Sequence, residues 1–196
     1  MVQMHTVGFS NQPLERFIQL CKRHNIDAIA DVRSTPSSRY TPQFDRGPLQ
    51  ASLKAEGITY VFLGKELGAR PANLKWYRAD GRLDWETFAK SELFRSGLVR
   101  AINGARKFNL ALGCTEKDPL DCHRSILIAQ QLSKQGVSVD HILANGKLEK
   151  HTDALLRLRK SHKLDQPTLL DTDDDLTKQA LRLQENQIAY QLPTEH

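Results

Sequence analysis

The sequence predicts an α/β fold: a mainly parallel five-stranded sheet with helices on both faces, followed by a C-terminal helical tail. Three observations carry this expectation. Short apolar runs alternate with apolar residues at helical spacing through the first 146 residues. That is the signature of strand–crossover–strand units, whose right-handed crossovers cover both faces of a parallel sheet. A chain of 196 residues holds one ordinary domain and a short appendage, and buries roughly two-thirds of its unfolded surface without a disulfide or metal staple. The composition, 39% hydrophobic and 26% charged, excludes collagen-like, low-complexity and wholly disordered chains. No apolar run is long enough for a membrane span.

The strands follow in order. His5-Thr6-Val7-Gly8-Phe9 reads as the first, and Leu14, Phe17, Ile18 and Cys21 continue at helical spacing, with Asn11 as the cap and Pro13 near the first turn. Ile26–Val32 is the second strand, and a polar, proline-bearing stretch runs from Ser34 to Pro48. Leu49–Glu56 reads as a helix stopped at Gly57, and Thr59–Leu63 as the third strand. A long loop with Gly64, Gly68 and Pro71 leads to helical residues 84–107, broken near Gly97. Asn109–Gly113 is the fourth strand, Ser125–Gln135 a helix ended by Gly136, and Val137–Leu143 the fifth strand. The domain is expected over residues 1–148 and the helical extension over 149–196. In the extension, Asp165-Gln166-Pro167 interrupts one helix, and Asp173, Asp174 and Asp175 stand where a helix N-terminus favours carboxylates. Leu176, Ala180, Leu183 and Gln187 then form a weak stripe, expected to dock on the domain.

The net charge of +5 is uneven. Residues 151–196 hold six basic and eight acidic side chains of the 28 and 23 in the chain, which leaves +7 on the first 150 residues. Such a domain favours anionic partners, a nucleotide or nucleic acid. Three cysteines make no disulfide framework, and the N-terminus lacks a signal-peptide pattern. Cys21, Cys114 and Cys122 are therefore expected as reduced thiols in a cytoplasm.

Ligands of open parallel sheets bind beyond the carboxyl ends of the strands. The segments leaving four strands here are polar: Gly8-Phe9-Ser10-Asn11, Asp31-Val32-Arg33-Ser34, Gly64 to Pro71, and Cys114-Thr115-Glu116-Lys117 continuing to Asp121-Cys122-His123-Arg124-Ser125. The topology brings all four to one rim. Cys122 at a helix start beside Arg124 and His123 has the surroundings of an activated thiolate, whereas Cys114 also suits a small buried hydrophobe ending a strand. Cys21 reads as core. Cys114, Cys122 and His123, with Glu116, offer metal-ligand types, but the spacing matches no standard zinc signature and neighbouring Cys122 and His123 are expected to point apart. No metal site is therefore assigned, and no cofactor is identified.

Arg33, Arg39, Lys65, Arg70 and Arg124, joined by Arg46, suit capture of phosphate or carboxylate, with Ser10 as a further anion ligand. The alternative is a structural network in which Arg33 and Arg124 pair with Asp31, Glu66 or Glu116. Glu116, Cys114, Cys122 and His123 are the candidate catalytic residues, and Asp31 and Glu66 support them. Tyr40, Phe44, Trp76 and Tyr77 either stack on bases or pin the long loops.

These motifs resemble the family known as domain of unknown function 488. The matching stretches are Thr6 to Asn11, Asp31 to Ser34 and on through Pro36 to Phe44, Leu63 to Pro71, Cys114 to Pro119, and Cys122 to Ser125. The resemblance spans about residues 4–146. It implies an α/β domain whose site is built from these motifs, and names no reaction. Phe9 stands where that family carries a histidine. A more distant likeness is to rhodanese-like domains, although Cys114 and Arg124 lie further apart than in their tight loop. The leading expectation is an enzyme acting on a phosphate-bearing ligand. The alternatives are a nucleotide- or nucleic-acid-binding module without turnover and a thiol or sulfur-transfer enzyme.

Overall fold

The computed structural model describes residues 2–166 and 171–193. Pro167, read as part of the break in the tail, lies outside them. Among the described residues six strands form one sheet: β1 (Gln3–Gly8), β2 (Ala28–Asp31), β3 (Thr59–Phe62), β4 (Leu110–Cys114), β5 (Ser138–Ile142) and β6 (Leu148–Lys150), in the order β3-β2-β4-β1-β5-β6. The first five are parallel. The sixth corrects the five-stranded expectation: it turns back antiparallel along β5, pairing Asp140 with Lys150 and Ile142 with Leu148. The helices are α1 (Leu14–Arg23), α2 (Arg46–Ala55), α3 (Gly64–Leu67), α4 (Trp85–Ala89), α5 (Glu92–Ala105), α6 (Gln130–Lys134), α7 (His151–Ser161) and α8 (Asp173–Ile188). A π-helical segment, Arg124–Ala129, runs directly into α6.

The central strands read as continuous apolar runs because both of their faces are covered. Alternate residues serve two cores. Val7, Ile29 and Ala111 join Phe17, Leu20 and Cys21 of α1 and Leu49 and Leu53 of α2. Met4, Ala28, Ala30, Leu110 and Leu112 face the other way, onto Phe94 and Leu98 of α5, Leu132 of α6, Leu158 of α7 and Ala180 of α8.

Three local expectations change. Pro13, not Asn11, occupies the cap position of α1. Helical residues 84–107 break at Ser91, whose hydroxyl accepts the Phe94 N–H at the start of α5. Gly97 lies inside α5, where a Cβ would stand 2.6 Å from Glu66 Cβ and 2.7 Å from Leu67 Cγ. It marks the close approach of α3, not a helix end.

The tail docks on the domain. Thr172 and Asp175 form a capping box ahead of α8, and Asp173, Asp174 and Asp175 fill its first turn. Leu176 and Ala180 are buried. Gln184 donates to the Leu120 carbonyl, and Glu185 accepts from the Trp85 N–H and pairs with Arg78. The expected domain boundary falls inside β6. No described helix is long and apolar enough to cross a membrane.

The chain leaves β2 toward α2 on one face and leaves β4 toward α6 on the other. These strands are neighbours, so their following loops diverge. A crevice must open between them, as at the switch point of any open parallel sheet.

Candidate functional site

That crevice holds a cavity of about 400 Å³. The loop after β2 supplies Arg33, Ser34, Thr35, Ser37 and Ser38; the loop after α3 supplies Ala69 and Arg70; the segment after β4 supplies Cys114, Thr115, Glu116, Asp121, Cys122 and His123. Ile188 and Tyr190 of the tail close it.

The floor is a sulfur–imidazole cluster. Cys114 ends β4, and the 3₁₀ turn Pro119–Asp121 brings the chain back so that Cys122 and His123 come to rest beside it. His123 Nδ1 lies 3.9 Å from Cys114 Sγ and 3.8 Å from Cys122 Sγ. The side chains of Cys122 and His123 therefore converge, against the expectation that neighbours diverge. His123 Nε2 is 3.1 Å from the Val32 carbonyl oxygen, to which it donates. Cys114 Sγ donates to Glu116 Oε2 at 3.1 Å.

Beneath this cluster Arg124 is fully buried. Its guanidinium donates to the Glu116 carbonyl at 2.9 Å and the Lys117 carbonyl at 3.4 Å, and Nη1 lies 4.0 Å from Glu116 Oε2. Among the described residues its Nε has no hydrogen-bond partner. A buried cation held mainly by carbonyl dipoles stabilises negative charge nearby. Burial pushes the Cys122 thiol up, but the neighbouring Cys114 thiol, the Arg124 charge and His123 together hold it well below the ordinary thiol range. The Cys114 thiol is driven well up, first by its pairing with Cys122 and then by burial. Burial and the Cys122 charge raise the Glu116 carboxyl. Burial opposes a charged His123, yet the Cys122 thiolate and Glu116 outweigh it and raise this histidine.

The arginines divide. Arg33 is locked: Nε and Nη2 grip Asp31, with Nη2 to Oδ2 at 2.6 Å, Nη2 also donates to the Phe44 carbonyl, and Tyr60 donates to Asp31. This is the structural network that the sequence left open. Arg124 is committed in the same way, to the Glu116 and Lys117 carbonyls and, at 4.0 Å, to the Glu116 carboxylate. Arg70 is different: it lines the cavity, stacks on the Tyr190 ring at 4.6 Å and has no ion pair among the described residues.

Five of the expected catalytic, anion-binding and supporting residues do not line the cavity: Asp31 and Arg124, which are fully buried, and Arg39, Glu66 and Ser10. Arg39 is exposed outside it. Glu66 is paired with Arg100 on α5. Ser10 lies on the same edge with φ 53°, held by its N–H to the Thr115 carbonyl. Phe9 is core, stacked on Phe44 at 5.4 Å with Arg33 over its ring. Among the loop aromatics, Phe44 and Trp76 are buried and Tyr77 donates to the Pro71 carbonyl, so they pin loops; Tyr40 is 91% exposed. Sequence reasoning missed the hydroxyl row Ser34–Ser38, which was visible as a serine-rich stretch after a strand, and Ile188 and Tyr190, for which only an aromatic in a polar tail gave any signal.

A match to the family described as Domain of unknown function DUF488 covers residues 13–130, more than half of the chain. No match was found among curated proteins or among solved structures.

Proposed function

Because the chain belongs to the DUF488 family, whose description names no reaction, its chemistry has to be read from its own pocket, and we propose that it is an enzyme acting on a phosphate-bearing ligand: a nucleotide, free or as one unit of a nucleic acid. The carrying observation is that one cavity joins an arginine with no ion pair among the described residues to a row of hydroxyls and to a carboxyl–thiol–imidazole floor. About 400 Å³ lies in the range of pockets for small ligands. Arg70 offers a planar fork to phosphate oxygens, and Ser34, Thr35, Ser37 and Ser38 surround it with donors. The excess of seven positive charges on the first 150 residues favours arrival of an anion.

Glu116 is the group placed for proton transfer. Its side chain keeps 41% of its surface exposed, faces the cavity and touches the Cys114 thiol. The thiols are almost fully buried, 3% and 1% exposed, and in this reading they shape the floor rather than attack the ligand. Arg33, tied to Asp31, and Arg124, tied to the carbonyls of residues 116 and 117, hold the two walls in place.

The test is turnover of a panel of nucleotides, with products separated by chromatography. Glu116→Gln should retain binding and lose about 10²–10⁴-fold in rate, the contribution of a positioned acid or base. Binding without turnover of any panel member by the native protein would make this a binding module and refute the enzymatic reading.

A further inference from the structure

The Cys114–Cys122–His123 cluster has geometry that an enzyme floor of ordinary side chains does not need. The three candidate ligand atoms, two Sγ and one imidazole nitrogen, all lie within 4.8 Å of one another, and all three residues are buried. We propose that Cys114 Sγ, Cys122 Sγ and His123 Nδ1 bind a zinc ion, with a fourth position open toward the cavity beside Glu116.

Distance is the first argument. Zinc bonds of about 2.3 Å to thiolate and 2.0–2.1 Å to imidazole, at the tetrahedral angle, place sulfur and nitrogen about 3.6 Å apart. The observed nitrogen–sulfur separations are 3.9 and 3.8 Å, a few tenths of an ångström from that value, and the two sulfurs lie within 4.8 Å of one another.

The second argument is independent of distance. His123 Nε2 donates its hydrogen to the Val32 carbonyl. A neutral imidazole bonded this way carries its lone pair on Nδ1, which is the nitrogen aimed at both sulfurs. Ligating histidines are oriented by just such a bond from the other ring nitrogen.

Charge is the third. Two thiolates and Glu116 balance a divalent cation and the buried Arg124, so the site closes at neutrality. Two sulfurs with one imidazole favour zinc over magnesium or calcium, which prefer oxygen. Three protein ligands and an open fourth position describe a catalytic rather than a structural zinc site. The open side faces Glu116 and the cavity that also holds Arg70. Spacing in the sequence hid the set because the turn at Pro119–Asp121 and the π-helical segment, not a regular ligand interval, bring it together.

The test is metal content, read without substrate. Reduced native protein, purified without chelator and given zinc, should hold about one zinc per chain by elemental mass spectrometry. Metal-free protein titrated with cobalt(II) should develop visible d–d absorption and near-ultraviolet thiolate-to-cobalt charge transfer. Cys114→Ser and Cys122→Ser should each weaken cobalt binding by at least about tenfold, the lower end for disturbing even an outer-shell partner. Cys21→Ser, in the opposite core, should change nothing. No cobalt absorption in reduced native protein, or equal loss in Cys21→Ser and Cys122→Ser, overturns the proposal. Should the serine variants not fold, the native cobalt spectrum decides alone. Failure here leaves the anion pocket standing, because nucleotide binding is measured separately.

Discussion

Lowering the pH from about 7.5 to about 5 should destabilise the protein through two buried histidines that tie the tail to the sheet. His141 of β5 and His151 at the start of α7 are 0% and 3% exposed. Thr6 Oγ1 is 2.8 Å from His141 Nδ1, His141 Nε2 is 3.0 Å from His151 Nδ1, and His151 Nε2 is 3.3 Å from Gln130 Oε1. Gln130 Oε1 can only accept, so the chain of donors runs from Thr6 through His141 and His151 to Gln130, with both rings neutral. Ser125 Oγ also lies 3.4 Å from His141 Nε2. Burial lowers His151 from 6.5 to about 4. Burial, His151, Arg124 and Arg157 push His141 down as well. A histidine depressed by folding contributes its stability fully above its unfolded pKa and loses it as pH falls toward the folded one. The window is therefore about pH 6.5 down to about 4. His151 alone removes roughly 2 kcal/mol by pH 5, and about 3 below pH 4, and His141 adds in the same direction. The roughly 2 kcal/mol corresponds to a melting temperature lower by about 4–8 °C. Urea unfolding of native protein and His151→Gln at both pH values measures the effect. The native loss should exceed the variant's by about 2 kcal/mol. Equal pH sensitivity in the two proteins would show that the histidine chain is not the cause.

Two further substitutions test how the walls of the pocket are built. Gly8→Ala should disrupt the loop after β4, because a Cβ there overlaps the Glu116 carbonyl oxygen and stands 3.3 Å from Arg124 Nη2; hydrogen exchange of residues 115–124 should rise, and unchanged exchange would contradict the packing. Arg33→Met leaves Asp31 buried without its partner and should cost about 3–5 kcal/mol in urea unfolding, while a loss under about 1 kcal/mol would show that Tyr60 and the backbone satisfy Asp31 alone.

The fold was legible where burial on both faces forced a pattern. Ile26–Val32 and Asn109–Gly113 read as strands because their inner runs, Ala28-Ile29-Ala30 and Leu110-Ala111-Leu112-Gly113, are apolar or small throughout. β6 was hidden because three edge residues, Leu148 among them 47% exposed, show no alternation. Gly97 was misread as a break because a glycine needed for close approach looks the same in sequence as one that ends a helix. At the site, the rule that ligands bind beyond strand ends found Arg33, Arg70, Cys114 and Glu116. It could not tell which rim side chains are already committed. Glu66 is taken by Arg100, and Arg33 by Asp31. Nor could local spacing reveal Tyr190, whose place under Arg70 depends on how α8 docks.

Calorimetric titration of the native protein with inorganic phosphate and a set of nucleoside monophosphates, at low salt, bears most directly on the anion pocket. Arg70→Ala and Arg39→Ala are titrated alongside. The pocket predicts saturable binding of at least one nucleotide, weakened roughly tenfold to hundredfold in Arg70→Ala, as for loss of a charged hydrogen bond of about 1.5–3 kcal/mol. Arg39→Ala, outside the cavity lining, should bind as the native protein does. Absence of saturable binding to every ligand, or equal losses in the two variants, would contradict the account.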